Sequence, residues 1–155
     1  MGTRAFLPTA RVHFGLGSLE KLGEEVRDFQ RAFVITGRTL FEETDLVRRV
    51  EGMLGKKHAG TFSGMGQHTP GSAVEKAAEE AGEADLLVSV GGGSVIDETK
   101  AVAVRLDYPV RIAATPTTLS EAEWAHAIGV TDEEAGRKSR FADLMVQSGL
   151  MPSPE

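Results

Sequence analysis

Residues 85–101 restrict the fold more than any other stretch of the chain. They begin with the apolar run Asp85-Leu86-Leu87-Val88-Ser89-Val90, which suits a strand buried on both faces of a parallel sheet, where neither face needs polar side chains. Gly91-Gly92-Gly93 then turn the chain, and Ser94-x-x-Asp97 reads as a capping box that opens a helix. A strand, a glycine turn and a helix amino end together form an anion-binding device. Bare backbone lets a phosphate come close, and the helix's first free amides point at it with the positive end of the dipole. A tight strand-to-helix turn that binds nothing has the same pattern.

The flanking sequence repeats the alternation. Residues 10–14 read as a short strand, Gly15-Leu16-Gly17 as a turn, and Ser18 as the cap of a helix carrying Leu19, Leu22 and Val26. Residues 31–37 are the first central strand. A helix follows over 40–54 with Leu46, Val47, Val50 and Leu54 on one face. A second strand is expected over 56–62, a loop over 63–68, and a helix over 71–81 with Thr69 as N-cap and Pro70 in its first turn. After the central glycine turn come a helix over 95–104, a break at Asp107-Tyr108-Pro109 and a strand over 110–114 that Pro116 stops. Residues 125–131 and the stretch after Lys138 pair as a hairpin around 132–137. Strands alternating with helices of about a dozen residues specify a Rossmann-like, doubly wound and mostly parallel sheet, with helices on both faces. Right-handed crossovers bring the loops after its strands to one edge, where such sheets bind ligands.

Composition narrows the partners. The chain has 155 residues, enough for one domain with a proper core, and a net charge of −6 that argues against nucleic acid or an anionic membrane. It contains no cysteine, so it has neither disulfides nor thiolate metal ligands, as suits a cytoplasmic protein. No apolar run approaches the roughly 18 residues that span a bilayer. His13, His58, His68 and His126 show no metal-ligand spacing, although His68 precedes a helix on the presumed active edge; Trp124 is expected in the core.

Three loops carry the candidate chemistry. Gly92, Gly93 and Ser94 offer amides, and Ser94 a hydroxyl, to a pyrophosphate. After the first central strand, Thr36-Gly37-Arg38-Thr39 lacks the acid that NAD-preferring folds place against the ribose hydroxyls. Glycine makes room there, and Arg38 and Thr39 suit a 2′-phosphate, unless Arg38 only solvates the surface. Thr115, Thr117, Thr118 and Ser120 cluster hydroxyls after the last strand, where a self-capping turn is the plainer role. Asp97 serves equally as a cap or as a ligand, and Lys100 covers the helix's outer face or pairs with a neighbour.

The segment Gly91-Gly92-Gly93-Ser94-Val95-Ile96-Asp97-Glu98-Thr99-Lys100-Ala101 resembles the nucleotide-binding segment of the iron-containing (group III) alcohol dehydrogenases. That superfamily includes glycerol dehydrogenase and maleylacetate reductase. Pro116-Thr117-Thr118-Leu119-Ser120-Glu121-Ala122-Glu123, then Val130-Thr131-Asp132-Glu133-Glu134 and Lys138, are similar to the family's next segment, in order and near its spacing. The resemblance implies reversible NAD(P)-linked oxidation of an alcohol, with a small alcohol or carbonyl compound as substrate. It places Asp97 and Lys138 near the nicotinamide half and Thr117, Thr118 and Ser120 against the cofactor. An aspartate matching Gly37 goes with NAD preference, so its absence leans toward NADP. His68-Thr69-Pro70 and the missing acid resemble the maleylacetate reductase side, whereas Ala125 stands where relatives often carry a polar cofactor contact. Iron or zinc is expected only in a full-length relative, whose helical second domain supplies an aspartate and three histidines.

These implications give residues 1–140 as a dinucleotide-binding domain and 141–155 as an irregular tail, truncated before the helical domain and incompetent for catalysis alone. No residue is assigned a catalytic or metal-binding role. The surface left open by a missing second domain favours homo-oligomers. Two other readings stay open: a non-catalytic nucleotide- or phosphate-binding module, and a sugar-phosphate cyclase relative similar to dehydroquinate synthase.

Overall fold

Four segments pair as parallel strands, β1 (Ala32–Gly37), β2 (His58–Met65), β3 (Leu86–Gly91) and β4 (Arg111–Pro116), in the order β2-β1-β3-β4. The structure is a computed structural model and describes residues 11–66, 71–106, 108–124, 129–132 and 137–140. The α/β class is the one the alternating pattern demands. β3 is buried along its whole length, as an apolar run between two neighbours has to be.

Helices cover both faces. On one, Phe33, Ile35 and Leu87 pack with Val74 and Ala77 of α4 (Gly71–Ala81) and Val102 of α5 (Gly93–Arg105). On the other, Val34, Val88 and Val90 pack with Leu22 of α1 (Leu22–Glu25) and with Val47, Val50 and Leu54 of α3 (Leu46–Leu54). At the amino edge of the sheet the Asp85 carboxylate accepts main-chain N–H bonds from Gln30 (2.8 Å) and Arg31 (2.9 Å), tying the start of β1 to that of β3. The hairpin β5 (Gly129–Asp132) and β6 (Arg137–Arg140) is antiparallel, with Thr131 opposite Lys138.

The structure corrects several expectations. Residues 11–14 form no strand, and Val12 and Phe14 are exposed, with nothing to bury against. Ser18 does not cap a helix. Gly17, at φ 79°, holds that position without a side-chain bond, and two 3₁₀ turns flank a single helical turn, α1. The helix expected over 40–54 breaks in two. Thr44 is extended and its hydroxyl donates to the Leu40 carbonyl at 2.6 Å, so α2 (Arg38–Glu43) ends and Asp45 starts α3.

β2 runs on through Ser63, Gly64 and Met65, expected as loop. Its ladder with β1 carries it, and the Phe62 ring folds back over the place a Gly64 side chain would take. β4 likewise reaches Pro116 instead of stopping before it. No capping box forms: Gly92 is the N-cap without a side-chain bond, so Ser94 lies inside the helix. Trp124 is 47% exposed in a 3₁₀ turn at the protein surface, not in the core. The expected Thr69 cap and Pro70, together with His68, Ala125, His126 and residues 141–155, lie outside the described residues.

Candidate dinucleotide site

The order of the sheet fixes where a ligand can sit. From β1 the chain goes outward to β2, then returns to place β3 on β1's other side, so the direction of winding reverses between β1 and β3. Open parallel sheets bind ligands at that reversal, beyond the carboxyl ends of the strands. Thr36 pairs with Val90, Gly37 with Met65 and Gly91 with Pro116, which brings all four carboxyl ends to one edge.

The glycine turn lies at the centre of this edge. Its glycines are absent from the positive-φ residues, so the turn requires space, not left-handed backbone. A Cβ on Gly92 would stand 3.1 Å from Thr118 Oγ1, and one on Gly93 only 2.7 Å from Ser120 Oγ. The Thr117 amide donates to the Gly91 carbonyl at 3.0 Å. Thus residues 117–120 fold directly over the turn, where the hydroxyls of Thr118 and Ser120 line the mouth of α5.

The helix itself leaves donors there. Its first bond runs from the Ile96 amide to the Gly92 carbonyl (3.1 Å), so the amides of Gly93, Ser94 and Val95 precede any carbonyl partner within the helix. Ser94 is exposed and Gly92 and Gly93 are half-buried, which keeps this amino end open to solvent. A phosphate group fits such a corner: close backbone, uncommitted amides, a positive dipole end and hydroxyls beside it.

The remaining predicted residues divide. Gly37 ends β1 and is the N-cap of α2; a Cβ there would lie 3.1 Å from the Met65 carbonyl and 3.8 Å from Val95 of α5. Gly37 therefore lets strand and helix pack, as well as keeping the crevice wide. Arg38 and Thr39 open α2 and are exposed, with Arg38 Nε 3.9 Å from Glu42. Asp97 lies on α5 one turn beyond Ser94. Lys138 lies in β6, and its side chain falls outside the described residues.

Of the two roles expected for Lys100, pairing with a neighbour holds, and a second partner was not foreseen. Lys100 does not cover an outer face: the side chain is 6% exposed, and its ammonium donates to the Ala122 carbonyl at 2.5 Å and to Asp97 Oδ1 at 3.3 Å. Burial pulls its pKa down, while Asp97 above all, and Glu123 more weakly, act to raise it. Val95, Ile96, Glu98, Thr99, Ala101, Val102 and Ala103 are buried with it, so the helix has little outer face at this point for a lysine to cover. Among the described residues, no group of three or more His, Asp or Glu side chains could hold a metal ion, and no helix is long and apolar enough to cross a membrane.

Residues 8–150 match the profile of the iron-containing alcohol dehydrogenases. Maleylacetate reductase 2 of Cupriavidus pinatubonensis is 40% identical over 134 residues, which is 84% of this chain and 36% of that protein. Maleylacetate reductase from Agrobacterium tumefaciens, a crystal structure, superposes with a TM-score of 0.75 at 31% identity, covering 93% of this chain and 41% of that one. The fold also matches, at 18% identity and a TM-score of 0.75, sulfoacetaldehyde reductase from Bifidobacterium kashiwanohense, solved in complex with NAD+; the match covers 83% of this chain and 40% of that one. The chain thus spans about two fifths of the length of these relatives.

Proposed function

The chain belongs to the iron-containing alcohol dehydrogenase family, and on that premise we propose that residues 1–140 are the cofactor-binding half of an NAD(P)-linked oxidoreductase of the maleylacetate reductase kind. The observation that carries this reading is the meeting of three loops, 37–39, 91–94 and 117–120, at one edge of the sheet where its winding reverses. Bound there, the cofactor's nicotinamide exchanges hydride with an alcohol or carbonyl carbon.

The chain's own residues bind and orient. The amides of Gly93 and Ser94, with the Ser94 hydroxyl, hold the pyrophosphate beside Gly92. Arg38 and Thr39 face the adenosine end, where a guanidinium and a hydroxyl favour a 2′-phosphate and hence NADP. Thr117, Thr118 and Ser120 donate hydroxyls from the opposite side of the turn, and Asp97 and Lys138 orient the nicotinamide half. Iron or zinc, which polarises the substrate oxygen in metal-dependent relatives, is assigned to no residue here. In this reading the chain binds a dinucleotide in the cytoplasm and serves the oxidation or reduction of a small alcohol or carbonyl compound.

Titrating the purified chain with NADPH and with NADH, followed by nicotinamide fluorescence, tests this. Saturable binding is expected with both, tighter for NADPH by about tenfold, the worth of one charge-assisted hydrogen bond. Arg38→Ala is expected to erase that difference and leave NADH binding unchanged. No saturable signal with either cofactor overturns the reading.

A further inference from the structure

We infer that Lys100 is a positioning residue of this site, holding Asp97 and the loop after β4 in register across the glycine turn. The inference rests on the dinucleotide reading above. The ammonium reaches a carbonyl 22 residues further along, that of Ala122 at 2.5 Å, and, on its own helix, Asp97 Oδ1 at 3.3 Å. Both partners are tied to the mouth of the site. Asp97 stands one helical turn beyond Ser94. Ala122 lies two residues past Ser120, whose hydroxyl occupies the space that a Cβ on Gly93 would need.

The loop also needs an outside hold. Glu121, between Ser120 and Ala122, sits at φ 61°, a left-handed conformation that a residue with a side chain adopts at a cost. Its turn is closed by one main-chain bond, from the Trp124 amide to the Glu121 carbonyl at 3.0 Å. An apolar residue at position 100 would suit the buried face of α5 and avoid desolvating a cation. A lysine there makes sense for what it grips. The acidic groups acting on it are Asp97 and Glu123, one from each of the two elements it joins. Lys100 itself is buried behind the turn, so its effect on a cofactor passes through Asp97 and Ser120.

Lys100→Met, which keeps an unbranched stem and removes the donors, tests the role in the full 155-residue chain. Two probes are titrated by fluorescence or calorimetry: NADPH, which spans the whole site, and adenosine 2′-monophosphate, which lacks the pyrophosphate and reaches only the Arg38 end. The variant is expected to bind NADPH about tenfold more weakly, the loss of one charge-assisted contact. Its affinity for adenosine 2′-monophosphate should stay within about twofold of the wild-type value. Equal weakening of both probes means a general loss of structure and overturns the inference, as does unchanged NADPH binding. Lys100→Leu, which also removes the donors, replaces the Met variant under the same criteria if that one shows no cooperative melt. If neither variant folds, the lysine is a folding determinant and the inference is wrong. Wild-type protein that binds neither probe would instead refute the site itself.

Discussion

Gly91, Gly92 and Gly93 are small for three different neighbours. A Cβ on Gly91 would stand 2.8 Å from both Cβ and Cγ2 of Val95, a buried, β-branched side chain in the first turn of α5 with little rotamer freedom to retreat. On Gly92 and Gly93 the obstacles are Thr118 and Ser120, exposed side chains on a loop. Rigidity of the neighbour decides the outcome. Gly91→Ala is expected to lose about 2 kcal/mol, the usual range for forcing a methyl into a packed core. Gly92→Ala should stay within about 1 kcal/mol of wild type, since its methyl meets only the ends of Thr118, Oγ1 at 3.1 Å and Cγ2 at 3.4 Å, which can swing aside. Urea unfolding of both variants measures this; a larger loss for Gly92→Ala would mean that the loop is as rigid as the core. That three small residues must follow β3 was readable from the glycines alone. Which neighbours demand them was not, because Thr118 and Ser120 lie some 25 residues further along and only the pairing of β3 with β4 brings them back.

Among the elements, legibility followed burial. β3 declared itself because both its faces are covered and every residue of its apolar run is buried. α4 was expected over 71–81 from the Thr69-Pro70 start signal, and it runs Gly71–Ala81 with Val74, Ala77 and Ala81 buried. Elements held by backbone were harder to read. β2 passes through Ser63 and Gly64 on its ladder with β1, and the break at Thr44 rests on one hydroxyl that competes for a carbonyl. Of the site, the glycine turn and the hydroxyl loop were legible; the Lys100 bridge was not, since its second partner is a main-chain carbonyl with no sequence signature. The segment joining α5 to β4 is fixed in a similar way. The Tyr108 hydroxyl donates to the carbonyls of Gly82 (2.5 Å) and Ala84 (3.0 Å), clasping that segment to the turn between α4 and β3. Burial first, then the nearby Glu83, raises its pKa above the ordinary 10.0. A raised pKa means that the folded state holds the proton more tightly. The clasp is therefore intact below about pH 10 and is lost as pH climbs through the folded value. Tyr108→Phe is expected to lower stability by about 1 kcal/mol near neutrality and to flatten the alkaline fall. Chemical denaturation between about pH 8 and pH 11 checks both, and a variant with the same alkaline slope as wild type would place that fall elsewhere.

For the whole molecule, the uneven cover of the sheet matters most. β3 is sealed on both faces, whereas β4, last in the strand order, leaves Arg111, Ala114 and Pro116 exposed and is followed by a fully exposed Leu119 and a half-exposed Trp124. Apolar surface beside a sheet edge favours self-association, by edge pairing or by burying the patch. The net charge of −6 acts against it, because like copies repel across water at low ionic strength. The balance between them is set by screening, which shortens the reach of that repulsion from about 30 Å at 0.01 M salt to about 3 Å at 1 M. Sedimentation velocity on the 155-residue chain should therefore show association that grows with protein concentration and strengthens with salt. Association driven by ion pairs would weaken instead, so the sign of the salt effect separates the two causes. Leu119→Ser together with Trp124→Ser should shift the curve toward monomer at every salt concentration, since about 25 cal/mol is lost for each Å² of apolar surface no longer buried. A double variant that associates as strongly as wild type would exclude burial of this apolar patch as the cause and leave pairing along the β4 edge.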